Sequence, residues 1–220
     1  MKKTTALSHH QSRAFQPQKL SPPRHFEAIE TLLTTNQDAQ KLILEIGAGK
    51  GKHAMDFAIQ NPNTYLIAIE RTRHKFEVFN QRARVQGIAN LTPVHADAVA
   101  WVVHAIAPAS ISQIYILYPN PEQHNPNQQW LNMPFFEFLL SRLQVGGEII
   151  LATNIEAYID NAEQQAQQLW CLPYTRQEVS IESQRTHFEV KYLARGEVCW
   201  QLTLHKPEGY ITRFDNYHPE

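Results

Sequence analysis

The chain has 220 residues and a mass of 25.4 kDa, enough for one sizeable core, and its length favours one domain over two. Hydrophobic residues at 43% and charged residues at 19% exclude a disordered or collagen-like chain. A formal charge of −1 excludes the global positive field of many nucleic-acid binders.

The first forty residues mix Gln, Ser, His and Pro without periodicity and read as a mobile basic arm, 1–40, ending in a short helix around Phe26 to Thr34. After Lys41 the chain alternates strand-like and helix-length stretches: LILEI (42–46), YLIAIE (65–70), LTPVH (91–95), ISQIYILY (111–118) and EIILAT (148–153). The intervening RHKFEVFNQRARVQ and PFFEFLLSRL have amphipathic helical spacing. From Arg176 onward QEVSIE and EVCWQLTLHK read as two strands with no helix between them, suited to an antiparallel edge. The economical fold is α/β: a doubly wound, mostly parallel sheet of about seven strands with an antiparallel C-terminal edge, over 41–206, followed by a tail, 207–220.

No apolar run approaches the roughly 18 residues of a membrane span, and the opening MKKTTALSHHQSRAF lacks a signal-length apolar stretch. A cytoplasmic protein without a membrane partner is expected. Cys171 and Cys199 are too few and too far apart for a disulfide framework or a four-ligand zinc site and read as packing residues. Histidines such as His53, His74, His95 and His124 show no paired metal spacing, so no metal is expected.

The sharpest feature is Leu44-Glu45-Ile46-Gly47-Ala48-Gly49-Lys50-Gly51, an apolar strand running into three alternate glycines and then a helix. Without a Cβ the backbone turns tightly there and a ligand approaches closely, at the strand end where open α/β sheets hold nucleotide-like ligands. The spacing is neither the dinucleotide G-x-G-x-x-G nor a phosphate loop. Steric turn-making alone also explains such glycines. Glu70 ends the next strand, where a carboxylate accepts from both hydroxyls of a ribose. Asp97 follows the third strand beside Ala98, placed to accept from an adenine amine, and Glu45 is placed to meet a cationic amino group. Each acid taken singly also fits a helix cap or a solvated strand end; together they fit one ligand.

L-E-I-G-x-G-x-G, the strand-end Glu70 and Asp97-Ala98 resemble the S-adenosylmethionine site of Rossmann-like methyltransferases. More narrowly, the chain resembles the bacterial tRNA (guanine-N7)-methyltransferases. Tyr118-Pro119-Asn120-Pro121, Val145-Gly146-Gly147, Ala152-Thr153-Asn154-Ile155-Glu156-Ala157-Tyr158 and Thr186-His187-Phe188-Glu189-Val190-Lys191 correspond to that family's F-P-D-P-W, L-x-x-G-G, A-T-D-x-E-x-Y and T-x-F-E-x-R. The resemblance implies that Glu45, Gly47, Gly49, Gly51, Glu70, Asp97, Ala98 and Asn120 bind S-adenosylmethionine. It places Tyr118, His124, Asn154, Thr186 and Glu189 toward the acceptor, Thr186 and Glu189 on the target guanine, with tRNA as the partner and Asn120 at the catalytic position.

Departures cluster on the acceptor side. Asn120 and Asn154 stand where the family has carboxylates, Glu122 where it has Trp, and Asn125-Pro126-Asn127-Gln128-Gln129 where it has a basic tract. From Val85 to Ser141 there is no Lys or Arg, and losing roughly four phosphate-binding cations costs on the order of a hundredfold in RNA affinity at moderate salt. The basic arm, with Arg71, Arg73 and Lys75, offers partial compensation. Tyr118 and Trp130 are candidates to stack on a planar base, whereas Phe135 and Phe136 read as core. Three functions stay open: tRNA guanine-N7 methylation, methylation of another acceptor such as a small heterocycle, or a cofactor-binding partner subunit that transfers nothing.

Overall fold

The computed structural model describes residues 13–23 and 41–218. The helix expected around Phe26 to Thr34 and the first twelve residues of the arm lie outside them. Strands β1 (Lys41–Ile46), β2 (Thr64–Glu70), β3 (Leu91–His95), β4 (Ile111–Leu117), β5 (Leu143–Thr153), β6 (Tyr174–Glu178) and β7 (Trp200–His205) form one sheet in the order β3-β2-β1-β4-β5-β7-β6. β1 to β5 run parallel; β7 pairs antiparallel with both β5 and β6. The doubly wound α/β fold with an antiparallel edge is the one expected from the strand rhythm.

Parallel strands are buried on both faces, which is why β1 and β2 are nearly continuous apolar runs. Helices α1 (Lys52–Gln60) and α2 (Arg73–Gln86) cover one face through Ala54, Ala58, Phe79 and Ala83 packed on Ile43, Leu66 and Ala68. Helices α3 (Ala98–Ala105), α4 (Phe135–Arg142) and α5 (Glu156–Gln168) cover the other, larger face. Phe135 and Phe136 are core, as expected.

Five expectations need correction. α4 is not amphipathic: all eight of its residues are buried, because the chain after β7 closes over its outer side. The tail packs rather than trailing free, with Tyr210 and Phe214 in the main core and the Phe214 and Tyr217 carbonyls accepting from the buried Arg142 at 2.7 and 2.9 Å. Burial pushes the Arg142 guanidinium down to about 10. Residues 13–23 are docked as well, Phe15 lying against Phe135, Phe138 and Phe214. Finally, a helix, α6 (His187–Leu193), interrupts the two C-terminal strands. It starts where the Thr186 hydroxyl caps the N–H of Glu189 at 3.0 Å, a local bond that satisfies one of the free donors of the first turn. Of the cysteines, Cys199 is buried but Cys171 is exposed, so only the former packs.

Candidate active site

The strand order reverses between β1 and β4, and the loops leaving their carboxyl ends part to opposite faces, opening a crevice there. Because β7 runs antiparallel to β5 and starts opposite Thr153, the β6–β7 connection, 179–199, returns to this same edge. Residues remote in sequence therefore meet around one crevice.

Gly47, Gly49 and Gly51 all have positive φ, at 83°, 60° and 77°, which L-residues adopt at a cost. Their reasons for being glycine differ. A Cβ at Gly47 or Gly49 would find nothing within 4 Å, whereas one at Gly51 would stand 1.9 Å from the Phe79 ring. Gly51 serves helix packing; Gly47 and Gly49 leave open backbone facing the crevice. Glu70, at the end of β2, accepts from the Gly49 N–H at 2.8 Å and the Thr72 N–H at 2.6 Å, one bond on each oxygen. A carboxylate has about four acceptor sites, so lone pairs remain on both oxygens. Asp97 caps α3 through Oδ1, which accepts from Val99 and Ala100 at 3.0 and 3.3 Å, and Ala98 opens that helix, half-buried. Glu45 is buried under the bend and bonded to His53 Nδ1 at 2.9 Å.

Open glycine backbone beside a carboxylate with spare acceptor sites, and a helix-capping aspartate one strand further, fits an adenosyl ligand. The glycine bend would border it, Glu70 would take the ribose and Asp97 the adenine amine. The buried Glu45 reaches His53 rather than the crevice, so in this arrangement it supports the bend from beneath.

The opposite wall carries the residues that the resemblance places toward an acceptor. Tyr118, with a positive φ of 51°, donates its hydroxyl to Glu189 at 2.7 Å, and burial pushes the phenol far above its ordinary value. Glu189 is fully buried. Arg185 grips it bidentately at 3.1 and 2.8 Å, and the Ser183 hydroxyl donates to it as well. Burial raises the Glu189 carboxyl, but bonds from Arg185, Ser183 and Tyr118 outweigh it and hold the group below the usual range. Thr186 is spent on the α6 cap. Glu189 and Thr186 thus hold this wall together through internal hydrogen bonds.

Both asparagines donate to a nearby glutamate. Asn120 Nδ2 meets Glu122 at 2.6 Å and Asn154 Nδ2 meets Glu197 at 2.7 Å, and Glu122 adopts a positive φ of 48°. A carboxyl group thus stands beside both asparagines, that of Glu197 also 3.9 Å from Arg195. His124 lies exposed in the following loop. Sequence reasoning missed His53, Ser183, Arg185, Glu122 and Glu197 as members of this cluster. Only Glu122 carried a signal, as the residue replacing an expected Trp. A separate cleft of about 790 Å³ lies on the sheet face beside α1, with a polar wall that includes His53, Gln113, Glu148, Arg185 and His205; the glycine bend, Glu70 and Asp97 are not part of it.

A family model described as "Putative methyltransferase" matches residues 39–202, from just before β1 into β7. The chain belongs to this family, Methyltransf_4. Among relatives of this chain, the tRNA (guanine-N(7)-)-methyltransferase of Shewanella piezotolerans is 29% identical over 137 residues, covering 61% of this chain and 57% of that protein. The enzyme of the same name from Burkholderia cenocepacia is 28% identical over 172 residues, covering 74% and 66%. The matched stretch thus spans less than two thirds of these relatives. Among solved structures, the 16S rRNA methyltransferase KamB superposes with a TM-score of 0.63 at 15% identity, covering 84% of this chain and 96% of that one. An antibiotic-related methyltransferase gives 0.63 at 14% identity, covering 82% and 95%. At these identities the two structures speak to the fold: the Rossmann-like sheet of a methyltransferase. Among the described residues no helix is long and apolar enough to cross a membrane.

Proposed function

We propose that the chain is an S-adenosylmethionine-dependent methyltransferase acting on N7 of a guanine in tRNA. The observation that carries this reading is the meeting, across one crevice, of the Gly47–Gly49 bend and Glu70 with the Tyr118–Glu189 bond contributed by the β6–β7 connection. The names of the curated relatives supply the acceptor.

When bound, S-adenosylmethionine supplies an activated methyl group on a sulfonium. The chain's residues bind and orient. Gly47 and Gly49 admit the ligand to the backbone, Glu70 accepts from the ribose, and Asp97 accepts from the adenine amine through the oxygen not used in the cap. On the other side, the Asn120–Glu122 pair presents carboxylate oxygen to the paired N–H donors of guanine's Watson–Crick edge. Guanine N7 already carries a lone pair, so no general base is needed. Alignment supplies the acceleration, and well-aligned pairs gain roughly 7–11 kcal/mol from this source.

A second reading, methylation of a smaller heterocycle, is favoured by the neutral loop around 125–129. Labelled methyl transfer to bulk unmodified tRNA, followed by nucleoside analysis, decides between them. 7-Methylguanosine is the expected product; no incorporation at high enzyme concentration overturns the tRNA assignment.

A further inference from the structure

The β6–β7 connection carries a set of side chains the proposed chemistry does not use. Phe188 is 49% exposed, and its ring stacks on Tyr192 with centroids 6.0 Å apart and planes 19° from parallel. Tyr192 in turn meets Tyr118, at the head of the Tyr118–Pro121 turn, at 5.9 Å. Three rings thus run from the crevice out to solvent.

Helix α6 explains the alignment. Glu189 and Leu193, four residues apart, are its buried face, whereas Phe188, Lys191 and Tyr192 share another by their i, i+3, i+4 spacing. Lys191 is exposed, as is Arg195 just beyond the helix. Between Arg185 and Arg195 the only acid is Glu189, buried and held by Arg185; Glu197 lies 3.9 Å from Arg195, so the outward positive charge of this stretch rests chiefly on Lys191. Ile181, Val190 and Val198 of the same connection are exposed as well, and exposed apolar area by itself names no occupant. An exposed ring aligned with two others and bordered by cations has the chemistry that holds unpaired nucleotides: a π face for the base and positive charge for the backbone. A protein partner would be met by an apolar patch without need of a planar stack.

We propose that the Tyr118–Tyr192–Phe188 ladder, with Lys191 and Arg195 beside it, is an RNA-contact surface that stacks an unpaired base next to the acceptor position. The cations missing from the 125–129 loop are thereby supplied, in part, from the other side of the crevice. This rests on the RNA reading of the site, and the test separates the two.

The full chain is titrated by fluorescence anisotropy with a short single-stranded RNA and with a duplex of the same sequence, in parallel with methyl transfer to unmodified tRNA. The single strand is expected to bind more tightly. Phe188→Ala should weaken it by about 5- to 100-fold, the range of a lost base–aromatic stack. Phe188→Trp should restore it and Phe188→Leu should not, since Leu keeps the apolar area and loses the π face. Lys191→Gln should lower the slope of log affinity against log salt by about 0.7. In transfer assays Phe188→Ala should raise KM for tRNA and leave kcat and cofactor affinity in place. If wild type methylates tRNA while Phe188→Ala binds RNA undiminished, or Leu serves as well as Trp, the surface falls and the acceptor reading stands. If RNA binding depends on Phe188 but tRNA is left unmethylated, the acceptor reading falls and the surface stands. Wild type that neither binds nor methylates RNA overturns both.

Discussion

Glu70 on β2 accepts a hydrogen bond from the backbone of Gly49 at 2.8 Å, so the carboxylate proposed to bind ribose also fixes the bend proposed to border the ligand. Substituting Glu70 acts twice. Glu70→Ala should weaken S-adenosylmethionine by roughly 1.5–3 kcal/mol, as for lost hydrogen bonds to a charged group, measured by calorimetry. Glu70→Gln, which keeps an acceptor toward Gly49, should lose less. Undiminished affinity in both would place the ribose elsewhere.

Gly51→Ala tests the division of labour among the glycines. The new methyl would stand 1.9 Å from Phe79 at a φ of 77°, so overpacking and backbone strain add, and a loss of about 2–4 kcal/mol in urea unfolding is expected. Phe79→Leu in the same chain should recover part of the loss, a coupling that a double-mutant cycle measures. Additive effects would mean that the clash relaxes elsewhere.

Asn120→Asp restores a carboxylate but removes the amide that donates to Glu122 at 2.6 Å. Two like charges would then share the turn, and one carboxyl would titrate upward. Methyl transfer should fall at neutral pH and recover toward acid, and a pH–rate profile reads this directly. Higher activity at neutral pH would show that the charge at position 120 matters more than its partner.

The placement of the glycine bend, Glu70 and Asp97 was legible from the sequence because it is local. The bend, Glu70 and Asp97 each sit at the end of a strand recognisable by its own apolar run. On the opposite wall the resemblance pointed to Tyr118, Thr186 and Glu189, but their contact was not legible, because it is assembled by topology. Nothing near Tyr118 announces that Glu189, 71 residues later, lies 2.7 Å from its hydroxyl; that follows only once β7 is known to run backwards along β5. The helix carrying Glu189 was missed because it is only seven residues long, too short for a helical period to stand out between two strand-like runs, and the deciding Thr186 cap is a single side chain. Tail packing escaped for a similar reason: the partner of Tyr210 and Phe214 is a helix that looks amphipathic until its outer side is covered.

The Glu189 carboxyl is held below its ordinary value near 4.5. Between the two values the unfolded chain binds a proton that the native one does not, so this group's contribution is complete above the ordinary value and lost as pH falls through the native one. Glu189→Gln should flatten the acid limb of a stability-versus-pH curve, read by urea unfolding at stepped pH. An unchanged limb would assign acid sensitivity to other carboxylates.

Arg142 offers a test of the tail. It is fully buried, and two of its bonds go to the Phe214 and Tyr217 carbonyls. Removing 211–220 strips those two partners and leaves the Ile106 carbonyl and the Ser141 hydroxyl at 2.8 and 3.0 Å, so a loss of about 1–3 kcal/mol is expected, that of buried donors left unsatisfied. Arg142→Met in the truncated chain should regain part of this in the same unfolding assay.

β6 touches the sheet through β7 alone. A strand finished early in synthesis therefore waits, unplaced, until a later one slides in beside β5, and everything strung between them waits with it. The ligand-facing half of the crevice is complete in the nascent polypeptide before the wall that would meet an acceptor has any position at all.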